Sequence, residues 1–203
     1  MKLDIHPQAK ALIFDLDGTI SDSLPVHFAT WHKVCSHFNC TFDEKIMVEM
    51  TGAPTILFAK RVIAENNLKG VSPEEMVRMK QESFWENAYL LKPHPVVVDL
   101  VYKYHGIYPM AIGTGAGRKS AMVQLEQLKL TSYFQAVVSA DDVTIHKPEP
   151  HTFLRCAELM GVEPALCHVF EDGDLGLRAA KAAGMFVTDV KPYTLDESLI
   201  GKS

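Results

Sequence analysis

Three features of this sequence predict an α/β protein: a parallel sheet flanked by helices and interrupted after its first strand by an all-helical insertion. A short apolar run, Ala11-Leu12-Ile13-Phe14, ends abruptly in Asp15-Leu16-Asp17-Gly18-Thr19. From Asp22 to about Leu91 apolar residues recur at helical spacing, and nothing alternates as a strand would. Beyond the breaker-rich Leu90-Leu91-Lys92-Pro93-His94-Pro95, helical segments and short apolar strands take turns.

Taken in order, the first strand runs into a polar stretch, Thr19 to Ser23, which reads as a linker. Pro25 then opens a helix with Val26, Ala29, Trp31, Val34 and Phe38 as its apolar positions. A second helix is predicted from Asp43 to about Met50, closed by Gly52. A third follows Pro54, carrying Ile56, Leu57, Ala59, Val62 and Ile63 and ending near Asn66-Asn67. Ser72-Pro73-Glu74-Glu75 starts a fourth, with Ser72 as N-cap, Pro73 at the first helical position and Glu75 completing a capping box. After the second linker come a helix over Val96 to Tyr104, a strand over Met110 to Ile112, a helix from Arg118 to about Leu128 and a strand over Ala136 to Val138. A helix over Glu149 to Met160, a strand over His168 to Phe170, a helix over Leu175 to Ala183 and a strand over Met185 to Val187 complete the series. Repeated β-α units predict a Rossmann-like parallel-sheet core, residues 1–21 and 92–203, with an inserted α-helical cap domain, residues 22–91.

Composition limits the function classes. The chain has 203 residues, 47% hydrophobic and 22% charged, as expected of a globular protein with an ordinary core. A net charge of −5 offers no basic face for nucleic acid. The four cysteines, Cys35, Cys40, Cys156 and Cys167, show no C-x-x-C spacing and read as reduced. With no signal-peptide core and no membrane span, the cytoplasm is the expected compartment. No residue asks for a second copy, so a monomer is expected.

Ligands of open parallel sheets bind at the carboxyl ends of the strands, and that edge collects acids here. Asp15 and Asp17, two residues apart on an extended segment, are expected to face one side while Leu16 packs. Two close carboxylates suit a hard divalent cation between them, Mg²⁺ above all, or a proton on one. Asp and Gly are also ordinary turn formers. Thr114 and Gly115 follow the second core strand, where a hydroxyl and free N–H groups can hold phosphate oxygens or simply make a turn. Lys147, between His146 and Pro148, can supply the cation that offsets clustered acids and a phosphate. Glu171 and Asp172 end the strand over His168 to Phe170 and can reach the cation of Asp15, while Asp174 is expected to cap the following helix.

In that order Asp15 to Thr19, Thr114, Lys147-Pro148 and Glu171-Asp172 resemble the four motifs of the haloacid dehalogenase superfamily over nearly the whole chain. The helical insertion resembles the small cap of its β-phosphoglucomutase-like branch. Thr152 to Ala157 and Met160-Gly161-Val162 look most like bacterial sugar-phosphate phosphatases acting on fructose-1-phosphate and 6-phosphogluconate. The resemblance implies that Asp15 attacks phosphorus to give an aspartyl-phosphate. Asp17 would protonate the departing sugar oxygen, then act as base toward water. It implies Mg²⁺ on Asp15, the backbone carbonyl of Asp17 and Asp172, with Glu171 a partner often through water. Phosphate would be held by Thr114, Lys147 and the N–H groups of Leu16 and Gly115. Dehalogenases lack an acid equivalent to Asp17, so its presence favours phosphate chemistry.

Within the cap, His27 matches a histidine that lies near the mutase active site, though a lone histidine also suits a helix surface. Gly52 matches a cap-loop glycine near substrate, or serves as a helix stop. At Thr55 the mutase pattern has an arginine for the non-transferring phosphate, and threonine offers no bidentate cation. Arg61, Arg78 or Lys80 are the substitutes in reach of sequence reasoning. Trp31, Phe84 and Trp85 read as cap core. The expected activity is a Mg²⁺-dependent phosphatase of small phosphorylated sugars. A mutase is the alternative enzyme, and a phospho-acceptor or sugar-phosphate-binding module the alternative outside catalysis.

Overall fold

The computed structural model describes residues 3–51 and 53–194, so Gly52, expected near the ligand, lies outside the described residues. Strand β1 (Ala11–Phe14) is the centre of a five-stranded sheet. Its neighbours are β4 (Met110–Gly113) and β6 (Cys167–Glu171), with β5 (Ala136–Val138) and β7 (Phe186–Asp189) at the edges, in the order β5-β4-β1-β6-β7. Every pairing is parallel, with Phe14 opposite both Ile112 and Phe170.

Alternation along β1 sorts the core into two layers. Leu12 and Phe14 face helices α5 (Pro95–Tyr104) and α6 (Arg118–Gln127), packing with Val97, Val101, Ala121 and Leu125. Ala11 and Ile13 face α7 (His151–Met160) and α8 (Asp174–Ala182), packing with Phe153, Cys156, Ala179 and Ala180. Phe14, Phe153 and Phe170 are fully buried, each contributing about 1.5–3 kcal/mol of hydrophobic stabilisation.

Between β1 and α5 the chain makes α1 (Leu24–His37), α2 (Lys45–Glu49), α3 (Thr55–Glu65) and α4 (Pro73–Glu86). They enclose a separate apolar cluster in which Trp31 stacks on Phe42 and Phe58, with Val34, Val62 and Met76 around it. Phe84 is buried at the junction with the sheet layer, beside Val26, Ala88 and Leu91. The first half of the expected capping box forms, Ser72 Oγ accepting from the Glu75 N–H at 3.0 Å.

Several local expectations give way to the structure. The two linkers pair with each other as an antiparallel ribbon of β2 (Ser21–Asp22) and β3 (Lys92–Pro93), so the segment from Asp22 is not helix throughout. Two-residue strands leave no alternation to read. Helix α7 starts at His151 rather than Glu149, because a residue before proline is disfavoured in helical geometry. Asp174 is the first residue of α8 rather than its cap, which is Gly173. A short helix α9 (Lys191–Thr194) follows β7 unannounced. No helix among the described residues is long and apolar enough to cross a membrane.

Candidate active site

The strand β1 ladder continues one step beyond Phe14, with Asp15 N–H donating to the Phe170 carbonyl at 2.9 Å. The chain then turns at once. The Leu16 carbonyl accepts from Ile20 and Ser21 N–H at 3.0 and 2.9 Å, and the Leu16 side chain is fully buried. Asp15 and Asp17 line one cleft, as expected, but a turn rather than a continued pleat brings Asp17 there. Gly18 makes that turn possible. Its φ is +84°, and a Cβ on it would lie 2.3 Å from Asp172 Oδ2. Gly18→Ala is therefore expected to destabilise the fold by about 1–3 kcal/mol, read as a lower urea midpoint.

Asp15, Glu171 and Asp172 are buried together, one oxygen of each lying within 4.8 Å of the others. The Lys147 ammonium, also buried, donates to Asp15 Oδ1 and Glu171 Oε2, each at 2.7 Å. Thr19 Oγ1 donates to Asp172 Oδ1 at 2.8 Å, and the Gly173 N–H donates to Glu171 Oε1 at 2.9 Å. Burial and the neighbouring Glu171 charge push the Asp15 carboxyl well above its usual range despite Lys147. Asp172 is pushed up to about 7, by burial first and Glu171 second. Burial would depress the Lys147 ammonium, but Asp15 and Glu171 overcome it and hold its pKa above the usual lysine value. Three carboxylates against one ammonium are an oxygen-rich, negatively charged donor set, which fits a hard divalent cation. The Asp17 side chain stands outside this cluster, so its expected share in the metal would come through its backbone carbonyl.

Asp17 has its own network. Its Oδ1 accepts from Ser23 Oγ at 2.7 Å, His27 Nε2 at 2.9 Å and Gln124 Nε2 at 2.9 Å, and the residue lines the cleft. Lys80 Nζ, from α4, donates to His27 Nδ1 at 2.6 Å, so the neutral imidazole carries its proton on Nε2 and gives it to Asp17. Burial alone would raise the Asp17 carboxyl, but the contacts from His27, Ser23 and Gln124 outweigh it and hold Asp17 ionised, below its ordinary value. Burial pushes the Lys80 ammonium down to about 8, and burial with the Lys80 charge lowers His27.

Thr114 and Gly115, after β4, complete the sheet side of the cleft. Thr114 is buried, and its Oγ1 accepts from the Ala116 N–H at 3.0 Å, shaping the loop. Among the described residues the N–H groups of Leu16 and Gly115 have no hydrogen-bond partner. The opposite wall belongs to the inserted helices and is mostly apolar: Leu24, Trp31, Met47 and Phe58, with His27 and Lys80 beside them and Thr55 at the start of α3. Of the three cations considered for the Thr55 position, Arg61 pairs with Glu65 and Arg78 with Glu82 on the surface. Lys80 alone lines the cleft, already bonded to His27.

Ser23 and Gln124 were not singled out by sequence reasoning as site residues. A signal existed for one of them. Gln124 shares the buried stripe of α6 with Ser120, Ala121 and Leu125, as Lys80 shares that of α4 with Met76, Ser83 and Phe84. A polar side chain on an apolar stripe asks for a buried partner.

A family model for haloacid dehalogenase-like hydrolases matches residues 12–190. The chain is 45% identical over 190 residues to a fructose-1-phosphate phosphatase of Escherichia coli (strain K12), covering 92% of this chain and 99% of that protein. It is 28% identical to a β-phosphoglucomutase of Bacillus subtilis (strain 168), covering 89% of this chain and 83% of the other. A solved β-phosphoglucomutase from Clostridium difficile superposes with a TM-score of 0.80 at 24% identity, over 96% of this chain and 93% of that one, a likeness of fold.

Proposed function

The chain belongs to the haloacid dehalogenase-like hydrolases, and on that premise we propose that it is a Mg²⁺-dependent phosphatase of small phosphorylated sugars. The observation that carries this reading is Asp15, held by Lys147 at 2.7 Å in a buried acid cluster, with a second acid, Asp17, on the same cleft. The Asp15 carboxylate attacks phosphorus, the bond from phosphorus to the sugar oxygen breaks, and Asp17 protonates that oxygen. Asp17 then takes a proton from the water that hydrolyses the aspartyl-phosphate. The free site holds Asp17 ionised, so the proton it gives the sugar oxygen is taken up from solvent as the phosphate dianion arrives and raises its proton affinity. Thr114, Lys147 and the N–H groups of Leu16 and Gly115 hold the transferring phosphoryl group. Asp15, Asp172 and the Asp17 carbonyl would hold Mg²⁺, with Glu171 as partner. When bound, the ion offsets carboxylate charge and polarises the phosphoryl oxygens.

The inserted helices, residues 22–91, act as the cap that selects the sugar, over a core of residues 1–21 and 92–203. Thr55 carries no charge and Lys80 is engaged by His27, which leaves no free cation lining the cleft, among the described residues, for a second phosphate. That supports release to water over return to another hydroxyl. The reading includes a cytoplasmic monomer: one chain supplies both walls of the cleft, and its four cysteines are free thiols, as a reducing compartment keeps them.

Phosphate release is the test, measured with fructose-1-phosphate, 6-phosphogluconate and β-glucose-1-phosphate, with Mg²⁺ and with EDTA. Turnover of at least one sugar phosphate that EDTA abolishes is expected. Accumulation of glucose-6-phosphate from β-glucose-1-phosphate would replace the phosphatase with a mutase. A stable phosphoenzyme without release would leave a phospho-acceptor module.

A further inference from the structure

We propose that Gln124 is a positioning residue for Asp17: its side-chain amide fixes the carboxylate that serves the leaving oxygen. This rests on the phosphatase reading above. Gln124 is fully buried on α6, and its Nε2 donates to Asp17 Oδ1 at 2.9 Å across 107 residues of chain. The orientation of the amide is fixed chemically, because the flipped rotamer would set Oε1 against a carboxylate. Its other end is costly. Among the described residues Gln124 Oε1 is buried without a hydrogen-bond partner, an arrangement that a leucine or methionine filling the same space would avoid. An unsatisfied acceptor tolerated for one donor locates the use of this side chain in that donor.

The other two donors to Asp17 have a different origin. Ser23 and His27 stand at the start of α1, where the chain has left the sheet for the inserted helices, and His27 is in turn tied to Lys80 of α4. Gln124 reaches Asp17 from α6, a helix packed on the sheet itself. Of the three, it alone references the carboxylate to the layer that also carries Asp15. One turn earlier on α6, Ser120 Oγ accepts from Trp85 Nε1 at 3.0 Å, so the same helix face also anchors α4. A merely structural α6 would therefore affect every substrate alike.

The experiment compares kcat/KM for the sugar phosphate with the highest turnover and for p-nitrophenyl phosphate, in wild type, Gln124→Met and Gln124→Leu. This ratio of constants ends at departure of the leaving group, so hydrolysis of the aspartyl-phosphate does not enter. A sugar oxygen needs the proton of Asp17 to leave, whereas p-nitrophenolate leaves without one. Both variants are expected to lose about 10–100-fold on the sugar phosphate, part of what general acid catalysis contributes, and under about 3-fold on p-nitrophenyl phosphate. Their urea midpoints are expected to equal or exceed that of wild type, since each removes an unpaired buried acceptor. Equal losses on both substrates, no loss on the sugar phosphate, or failure of both variants to fold would each overturn the proposal. A wild type that releases no phosphate would instead overturn the phosphatase reading.

Discussion

Asp15→Asn is expected to lower phosphate release by about 10⁴-fold or more while leaving the fold intact or slightly more stable without Mg²⁺. The loss follows from the attack itself, since an amide oxygen is a poor nucleophile and forms no acyl-phosphate that Asp17 and water could clear. The stability follows from the crowding. Burial, then Glu171 and Asp172, hold the Asp15 carboxyl above its ordinary value, so its ionised form works against the folded state. The sign is that of a raised acid: the cost begins as pH rises past the unfolded value and grows until it passes the folded one. Asparagine removes that charge, and its oxygen can still accept from Lys147 Nζ, which stands 2.7 Å from Asp15 Oδ1. A urea midpoint at pH 8 with EDTA, measured beside phosphate release with Mg²⁺, checks both halves. An active Asp15→Asn would remove Asp15 as the nucleophile, and an unfolded one would show that the cluster is held by more than its geometry suggests.

What was legible in the sequence follows from how local each signal is. Strands β1, β4, β5 and β6 are short apolar runs ended by acids, glycine or a polar turn, and every expected sheet-edge residue except Lys147, nine positions beyond β5, sits within a few positions of its strand. Local spacing suffices there. The β2–β3 ribbon was not legible, because its two strands of two residues pair Asp22 with Lys92 and Ser21 with Pro93, 70 and 72 positions apart. The network on Asp17 is equally nonlocal. Ser23, Lys80 and Gln124 reach it from a linker, from α4 and from α6, and only folding shows that they converge. The alternation argument for Asp15 and Asp17 reached the right cleft through the wrong geometry, because the turn closed by Leu16 O and permitted by Gly18 was not part of it.

Lys147→Met is expected to destabilise the protein by about 3–5 kcal/mol at pH 8 without Mg²⁺, and to lower turnover by about 10³-fold. Lys147 is the ammonium that faces Asp15 and Glu171, both ion pairs being almost completely shielded from water. Methionine preserves most of the aliphatic stem, so the change removes the ammonium with its two ion pairs and its contact over the Phe153 ring, 4.6 Å from Nζ to the ring centroid. The ammonium pKa is raised in the fold, so the stabilisation it provides is complete below the ordinary lysine value of 10.5 and disappears only as pH rises through the folded one. Between pH 5 and 8 wild-type Lys147 therefore stays charged, and any pH dependence of the deficit belongs to the acids left behind. At pH 5 Asp15, whose carboxyl burial already pushes well above its ordinary value, is expected to be protonated in the variant, so the deficit shrinks relative to pH 8, where more of its charge is left unpaired. Excess Mg²⁺ is expected to restore part of the stability, because a cation anywhere in the cluster offsets the same repulsion. It is not expected to restore turnover, since the missing Nζ donor is also a hand on the transferring phosphoryl group. Urea unfolding at the two pH values, with and without Mg²⁺, separates these roles: recovery of activity together with stability would reduce Lys147 to a counter-charge alone.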